Sequence, residues 1–149
     1  MDIQDLGAIG EVIGAIAVVV SLIYLAIQVR NNTAQMKFSS QQAIAEAQDR
    51  AFEPIYSEPS KSIWTQGHVN YEGLTESDAM IFDALMVRQL HNFQNTLEAQ
   101  KQGFVPDHVV NETYRAFYRG LVQSTGGSQW LKEHSHMFNR ELITFLEDV

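Results

Sequence analysis

The sequence predicts an all-α protein: one N-terminal transmembrane helix, able to continue as a long helix, followed by a small cytosolic helical domain. Three observations predict it. A run from Leu6 to Val29, LGAIGEVIGAIAVVVSLIYLAIQV, carries a single formal charge, Glu11. Downstream, apolar residues recur at spacings of three and four, the period of a helix with one buried face. No stretch shows the apolar/polar alternation of a half-buried strand.

The apolar run is long enough to cross a bilayer core, which takes roughly 20 residues at about 1.5 Å of rise each. Its thirteen Leu, Ile and Val residues favour insertion. On an insertion scale they contribute about 4 to 8 kcal/mol together. Glu11 lies less than two turns inside the run, where a carboxylate reaches the interface or is neutralised, so it costs less than at the midplane. A cleaved secretory signal would place Lys or Arg before the run, whereas the residues there are Met1, Asp2, Ile3, Gln4 and Asp5. The lack of charge from Val12 to Ile27 also argues against a buried helix of a soluble core. A retained anchor is expected over residues 1–30, a juxtamembrane helix or stalk over 31–53, and a helical domain over 54–149.

Composition narrows what the rest can do. The formal charge of -8 falls to -5 once Asp2, Asp5 and Glu11 are set aside, and Lys and Arg are spread singly. That pattern offers no basic stripe for nucleic acid. Cysteine is absent, which excludes disulfides, Cys-ligated zinc, thiol catalysis and Fe–S clusters. Lys and Arg are missing before the run, while Arg30 and Lys37 follow it. The positive-inside rule therefore places the C-terminal domain in the cytoplasm and the N-terminus outside.

Small and polar residues of the run fall on one side. Gly7, Gly14, Ser21, Gln28, Gln35 and Gln42 recur every seven residues, with Gly10, Glu11 and Ala17 beside that line. Gly10 and Gly14 have the GxxxG spacing that lets helix backbones approach closely in lipid. Ile9, Ile13, Ile16, Val20, Ile23 and Ile27 form another face, suited to lipid tails. Between Ala26 and Phe52 there is neither Gly nor Pro, so the helix can continue, with Met36, Ala43 and Ala47 near one face. Asn31, Asn32 and Thr33 are weak helix formers and mark where it could bend.

Pro54 and Pro59 make the main break. Pro59 opens a short helix through Ile63 and Trp64, closed by Gly67. Thr75-Glu76-Ser77-Asp78 resembles a capping box and starts the longest soluble helix, which runs to about Gln102 and is ended by Gly103. Its apolar set is Ala79, Phe82, Met86, Leu90, Phe93 and Leu97, widened by Ile81 and Leu85. The next helix begins near Pro106 or Asp107, turns Val110, Tyr114, Phe117, Tyr118 and Leu121 to one side, and ends at Thr125, Gly126 and Gly127. Ser128 is then expected to cap a turn holding Trp130 and Leu131, and Asn139 a last helix bearing Leu142, Ile143, Phe145 and Leu146.

The chain resembles an uncharacterised group of small bacterial single-span membrane proteins. The resemblance is carried by AIGEVIGAIAVVVSLIYLAIQVRNNT, from Ala8 to Thr33, and more loosely by Ile63-Trp64 with Gly67, Leu74-Thr75, Arg88 to Phe93, and Gly127 to Phe138. The resemblance implies a bacterial protein with a single N-terminal span in the inner (cell) membrane followed by a cytosolic helical domain, and it brings no activity, cofactor or catalytic residue.

Candidate chemistry is sparse. Glu133 and His136 form one Glu-x-x-His unit without the second copy a di-iron bundle needs. There is no nucleophile elbow, phosphate loop or dinucleotide fingerprint. Arg115 and Arg119, one turn apart, read as a solvated face. The expectation is therefore a non-enzyme without metal or cofactor. It would pack through Gly7, Gly10, Glu11, Gly14, Ala17, Ser21 and Gln28 into a homo-oligomer or larger membrane complex. Two alternatives stand beside it: a homo-oligomeric ion channel lined by Glu11, Ser21 and Gln28, and a membrane-tethered enzyme.

Overall fold

The computed structural model describes residues 3–147, which are helical and contain no strand. Helix α1 runs from Ile3 to Phe52 as one α-helix, passing through Asn31 and Asn32 without interruption. Thr33 turns its hydroxyl back onto the Val29 carbonyl at 2.9 Å, which satisfies a side chain that would otherwise compete with the helix backbone. A 3₁₀ turn over Glu53–Tyr56 follows, then α2 (Ser60–Val69), a 3₁₀ turn (Tyr71–Gly73) and α3 (Glu76–Lys101). The chain continues through a π-helical segment (Val109–Tyr114) into α4 (Arg115–Gln123), α5 (Thr125–His134) and α6 (Arg140–Glu147).

Two compact units divide the chain, Met1–Phe38 and Ser39–Val149. Within the first, α1 is bare: every side chain from Gly7 to Phe38 is exposed. Its 18-residue apolar window has a mean hydropathy of 2.6 and none of it is buried against the rest of the chain. The last turns of α1, within the segment expected as a juxtamembrane helix or stalk, fall in the second unit. There Ala51 is buried, Ile44 packs on the core, and Gln41 Nε2 donates to the Phe104 carbonyl at 3.1 Å.

Helix α3 is the spine of the second unit. Thr75 caps it as the sequence predicts, its hydroxyl oxygen accepting from Asp78 N–H at 3.2 Å, and Gly103 with φ +73° ends it. Phe82, Leu85, Met86, Leu90, Phe93 and Leu97 are all buried, so the predicted face is the real one. Burial of such side chains contributes about 1.5 to 3 kcal/mol each. The same face also buries Gln89, which donates to the Ala51 carbonyl at 3.1 Å and so ties α3 to the end of α1. Around this spine gather Ile63, Val110, Tyr118, Val122, Trp130, Phe138, Leu142 and Leu146.

Three expectations need correction. Gly67 does not close α2 but lies inside it, where a Cβ would run into the Phe82 ring. Gly126 and Gly127 do not simply stop α4; they form the first turn of α5, and the cap is Ser124, whose Oγ accepts from Gly127 N–H at 3.0 Å. The reason is contact: a Cβ on Gly126 would overlap the Gly67 carbonyl oxygen. Finally, the inward residues of α4 are Tyr118 and Val122, while Phe117 is exposed and Leu121 only half-buried. The wide turns of the preceding π-helical segment advance the buried face by one position over that predicted from a 3.6-residue period. The Asn139 cap of α6 stands as predicted, with Leu142 N–H donating to Oδ1 at 2.8 Å.

Candidate functional site

The residues singled out in the sequence lie together on α1. Gly7, Gly10, Glu11, Gly14, Ala17, Ser21 and Gln28 span an arc of about 120° when each residue turns the helix by about 100°. A Cβ built on Gly7, Gly10 or Gly14 meets nothing within 4 Å, so nothing else in the chain requires glycine there. Two polar members of the stripe, Ser21 and Gln28, bond within their own helix. Ser21 Oγ donates to the Ala17 carbonyl at 2.8 Å, and Gln28 Nε2 donates to the Tyr24 hydroxyl at 2.6 Å.

In the second unit the structure assembles a polar junction that the sequence does not reveal. Asp83 Oδ1, on α3, accepts from the Tyr71 hydroxyl at 2.9 Å and from Trp130 Nε1 at 2.8 Å. His134 stacks on the Trp130 ring, with centroids 4.7 Å apart, and its Nε2 is 3.9 Å from Asp83 Oδ2. Its Nδ1 meets the Trp130 carbonyl at 2.9 Å, so that nitrogen carries the hydrogen. Tyr71 N–H donates to Gln129 Oε1 at 3.0 Å. Burial, reinforced by the Asp83 carboxylate, pushes the Tyr71 phenol well above its ordinary range and keeps it a donor. The junction thus ties the 3₁₀ turn after α2 and, through Trp130 and His134, helix α5 to one carboxylate in the second turn of α3. These residues are separated widely in sequence and share no motif, which is why spacing cannot find them.

A serine and a histidine also meet nearby. His68 Nδ1 lies 2.9 Å from Ser124 Oγ. The hydroxyl hydrogen is spent on the Leu121 carbonyl at 2.8 Å, leaving Ser124 Oγ an acceptor for His68 and for Gly127 N–H. His68 Nε2 is buried without a partner, so no carboxylate orients the ring. This is a cap reinforced by an imidazole, not an activated nucleophile. Among the described residues no group of three or more His, Asp or Glu is placed to hold a metal; His136 Nδ1 meets the Glu133 backbone carbonyl at 3.0 Å.

His68 gives the domain a pH dependence. Its ring sits against Trp64 and Phe82, and burial lowers its pKa from the ordinary 6.5, with the Leu121 carbonyl opposing in part. The unfolded chain therefore takes up the proton first as pH falls. The stabilisation is complete above the unfolded value and is lost as pH drops through it toward the lower folded value. Thermal melts between about pH 7.5 and pH 5.5 should show a falling midpoint, and His68→Gln should flatten that slope. An unchanged slope in the variant would assign the effect elsewhere.

Comparison with protein-family models, with curated proteins and with solved structures found no match to this chain.

Proposed function

We propose that the protein is a single-pass membrane protein that self-associates through the glycine-lined side of α1 and presents its helical domain to the cytosol as an interaction or scaffold module. The observation that carries this reading is the bare apolar window of α1, with a mean hydropathy of 2.6 and nothing buried against the chain. A core helix would be covered by its own protein. A continuous apolar surface of this extent in water is a liability that lipid or a partner must remove. Against a cleaved signal, the helix runs on without a break from Val29 to Phe52, and its final turns are packed into the domain.

The orientation follows from Arg30 and Lys37, which favour a cytoplasmic domain at the inner membrane of a bacterium. Self-association is supported by glycines that the chain itself leaves uncovered at Gly7, Gly10 and Gly14. Between packing and pore lining, the internal pairing of Ser21 with Ala17 and of Gln28 with Tyr24 favours packing, because an ion path needs polar groups free to face water.

Mass measurement of the complex extracted from its own membrane tests the proposal. The wild-type chain should appear as a multimer, alone or with foreign subunits. Gly10→Leu and Gly14→Leu should shift it to monomers, since each places a bulky side chain where backbones must approach. Wild-type monomers in mild detergent would remove the self-association reading.

A further inference from the structure

A cleft of about 430 Å³ opens between the start of α4 and α6, lined by Arg115, Arg140, Glu141, Thr144 and Phe145. The charge distribution around it is unusual for this chain. The protein is strongly acidic overall, at -8, yet three of its six arginines, Arg115, Arg119 and Arg140, lie on these two short helices. Among the described residues none of the three forms an ion pair with a carboxylate. The one carboxylate in the lining, Glu141, is engaged by Lys101, which also reaches Glu98 at 3.2 Å.

The one-turn spacing of Arg115 and Arg119 predicts a solvated face, and they do not form one. Arg115 Nε is buried with no acceptor, and its guanidinium lies over the Phe145 ring at 4.1 Å. Arg119, one turn further along the same helix, has both Nε and Nη2 buried and unpaired. Buried guanidinium nitrogens without an acceptor are costly, and an anion nearby relieves that cost. Arg115 also lines the cleft, beside Phe145. Arg140, exposed at the start of α6, supplies a second fork, and Thr144 a hydroxyl. Two guanidinium forks beside an aromatic surface match a carboxylate or phosphate attached to an apolar body.

We propose that this cleft binds a small organic anion, its charged group held by Arg115 and Arg140 and its apolar part laid against Phe145. Arg119 contributes positive potential from the next turn. The site belongs to the helical domain and does not depend on how α1 assembles.

Calorimetric titration of the full-length chain in nanodiscs tests this, with benzoate as a carboxylate carrying a ring and inorganic phosphate as an anion without one. Benzoate should bind saturably at one site with a dissociation constant on the order of 1 mM at constant ionic strength, and more tightly than phosphate. Arg140→Gln should weaken it by about tenfold or more, Arg115→Gln similarly, and Arg140→Lys by less, because lysine keeps the charge without the fork. Arg140 is exposed, so Arg140→Gln should remain folded by circular dichroism and keeps the test decisive if Arg115→Gln does not. Absence of saturation with either anion, or an unchanged benzoate affinity in the Arg115→Gln/Arg140→Gln double variant, would overturn the proposal. Phosphate binding as tightly as benzoate would overturn the part assigned to Phe145.

Discussion

Gly126→Ala should destabilise the helical domain by about 3 kcal/mol or more, the upper end of what one overpacking substitution does. The added Cβ would overlap the Gly67 carbonyl oxygen and sit 2.9 Å from Tyr71 N. Both are backbone atoms, so no rotamer change relieves the overlap. Helices α2 and α5 must then separate, and with them the contacts that bury Phe82 and Trp130. Gly67→Ala should act in the same direction, since its Cβ would enter the ring of the fully buried Phe82. Gly120→Ala is the matched comparison. It lies inside α4 with nothing within 4 Å of the new Cβ, so it should stabilise the domain by about 0.5 to 1 kcal/mol through helix propensity alone. Urea unfolding followed by tryptophan fluorescence measures both, because Trp64 and Trp130 are in the helical domain. A Gly126→Ala variant as stable as wild type would mean that α2 and α5 do not cross at these glycines.

If α1 anchors the protein as proposed, placing two lysines on its isoleucine- and valine-rich side, Ile16→Lys with Val20→Lys, should move the protein from the membrane to the aqueous fraction. Both positions are exposed and lie near the middle of the apolar run. Each lysine there costs about 2.5 to 3.5 kcal/mol on an insertion scale, and the two lost apolar side chains add about 1 kcal/mol more. The sum, about 6 to 8 kcal/mol, takes up the upper half of the roughly 4 to 8 kcal/mol that the Leu, Ile and Val residues provide. Either lysine alone leaves a net preference for lipid and should remain with the membrane after carbonate extraction. If the unmodified chain itself were recovered in the soluble fraction, the anchor reading would fail before the variants were compared.

Long elements with regular spacing are legible in residue types alone. Helix α3 shows this best: its cap at Thr75, its stop at Gly103 and the six apolar residues of its buried face all follow from local pattern. Shorter elements mislead where a glycine serves packing. Gly67, Gly126 and Gly127 look like helix stops in sequence, because glycine most often ends a helix. The role of Gly67 and Gly126 depends on which element lies opposite, information that a local pattern does not contain, while Gly127 fits its turn against the Leu121 carbonyl and Ser124 Oγ. The π-helical segment before α4 has the same effect on a smaller scale: of the predicted face Tyr118 is buried, while Phe117 and Leu121 give way to Val122.

Two properties are written in the residues themselves: helicity throughout the described part of the chain, and one N-terminal helix long and apolar enough to cross a membrane. Both rest on composition and period, which each segment carries independently of its neighbours. Packing in three dimensions is what gathers Tyr71, Trp130 and His134 around Asp83 and brings Arg140 and Phe145 of α6 beside Arg115. Those meetings join residues from separate elements of the chain. They exist because the apolar faces of different helices must be buried together, and the polar side chains that arrive with them take whatever partners that burial provides.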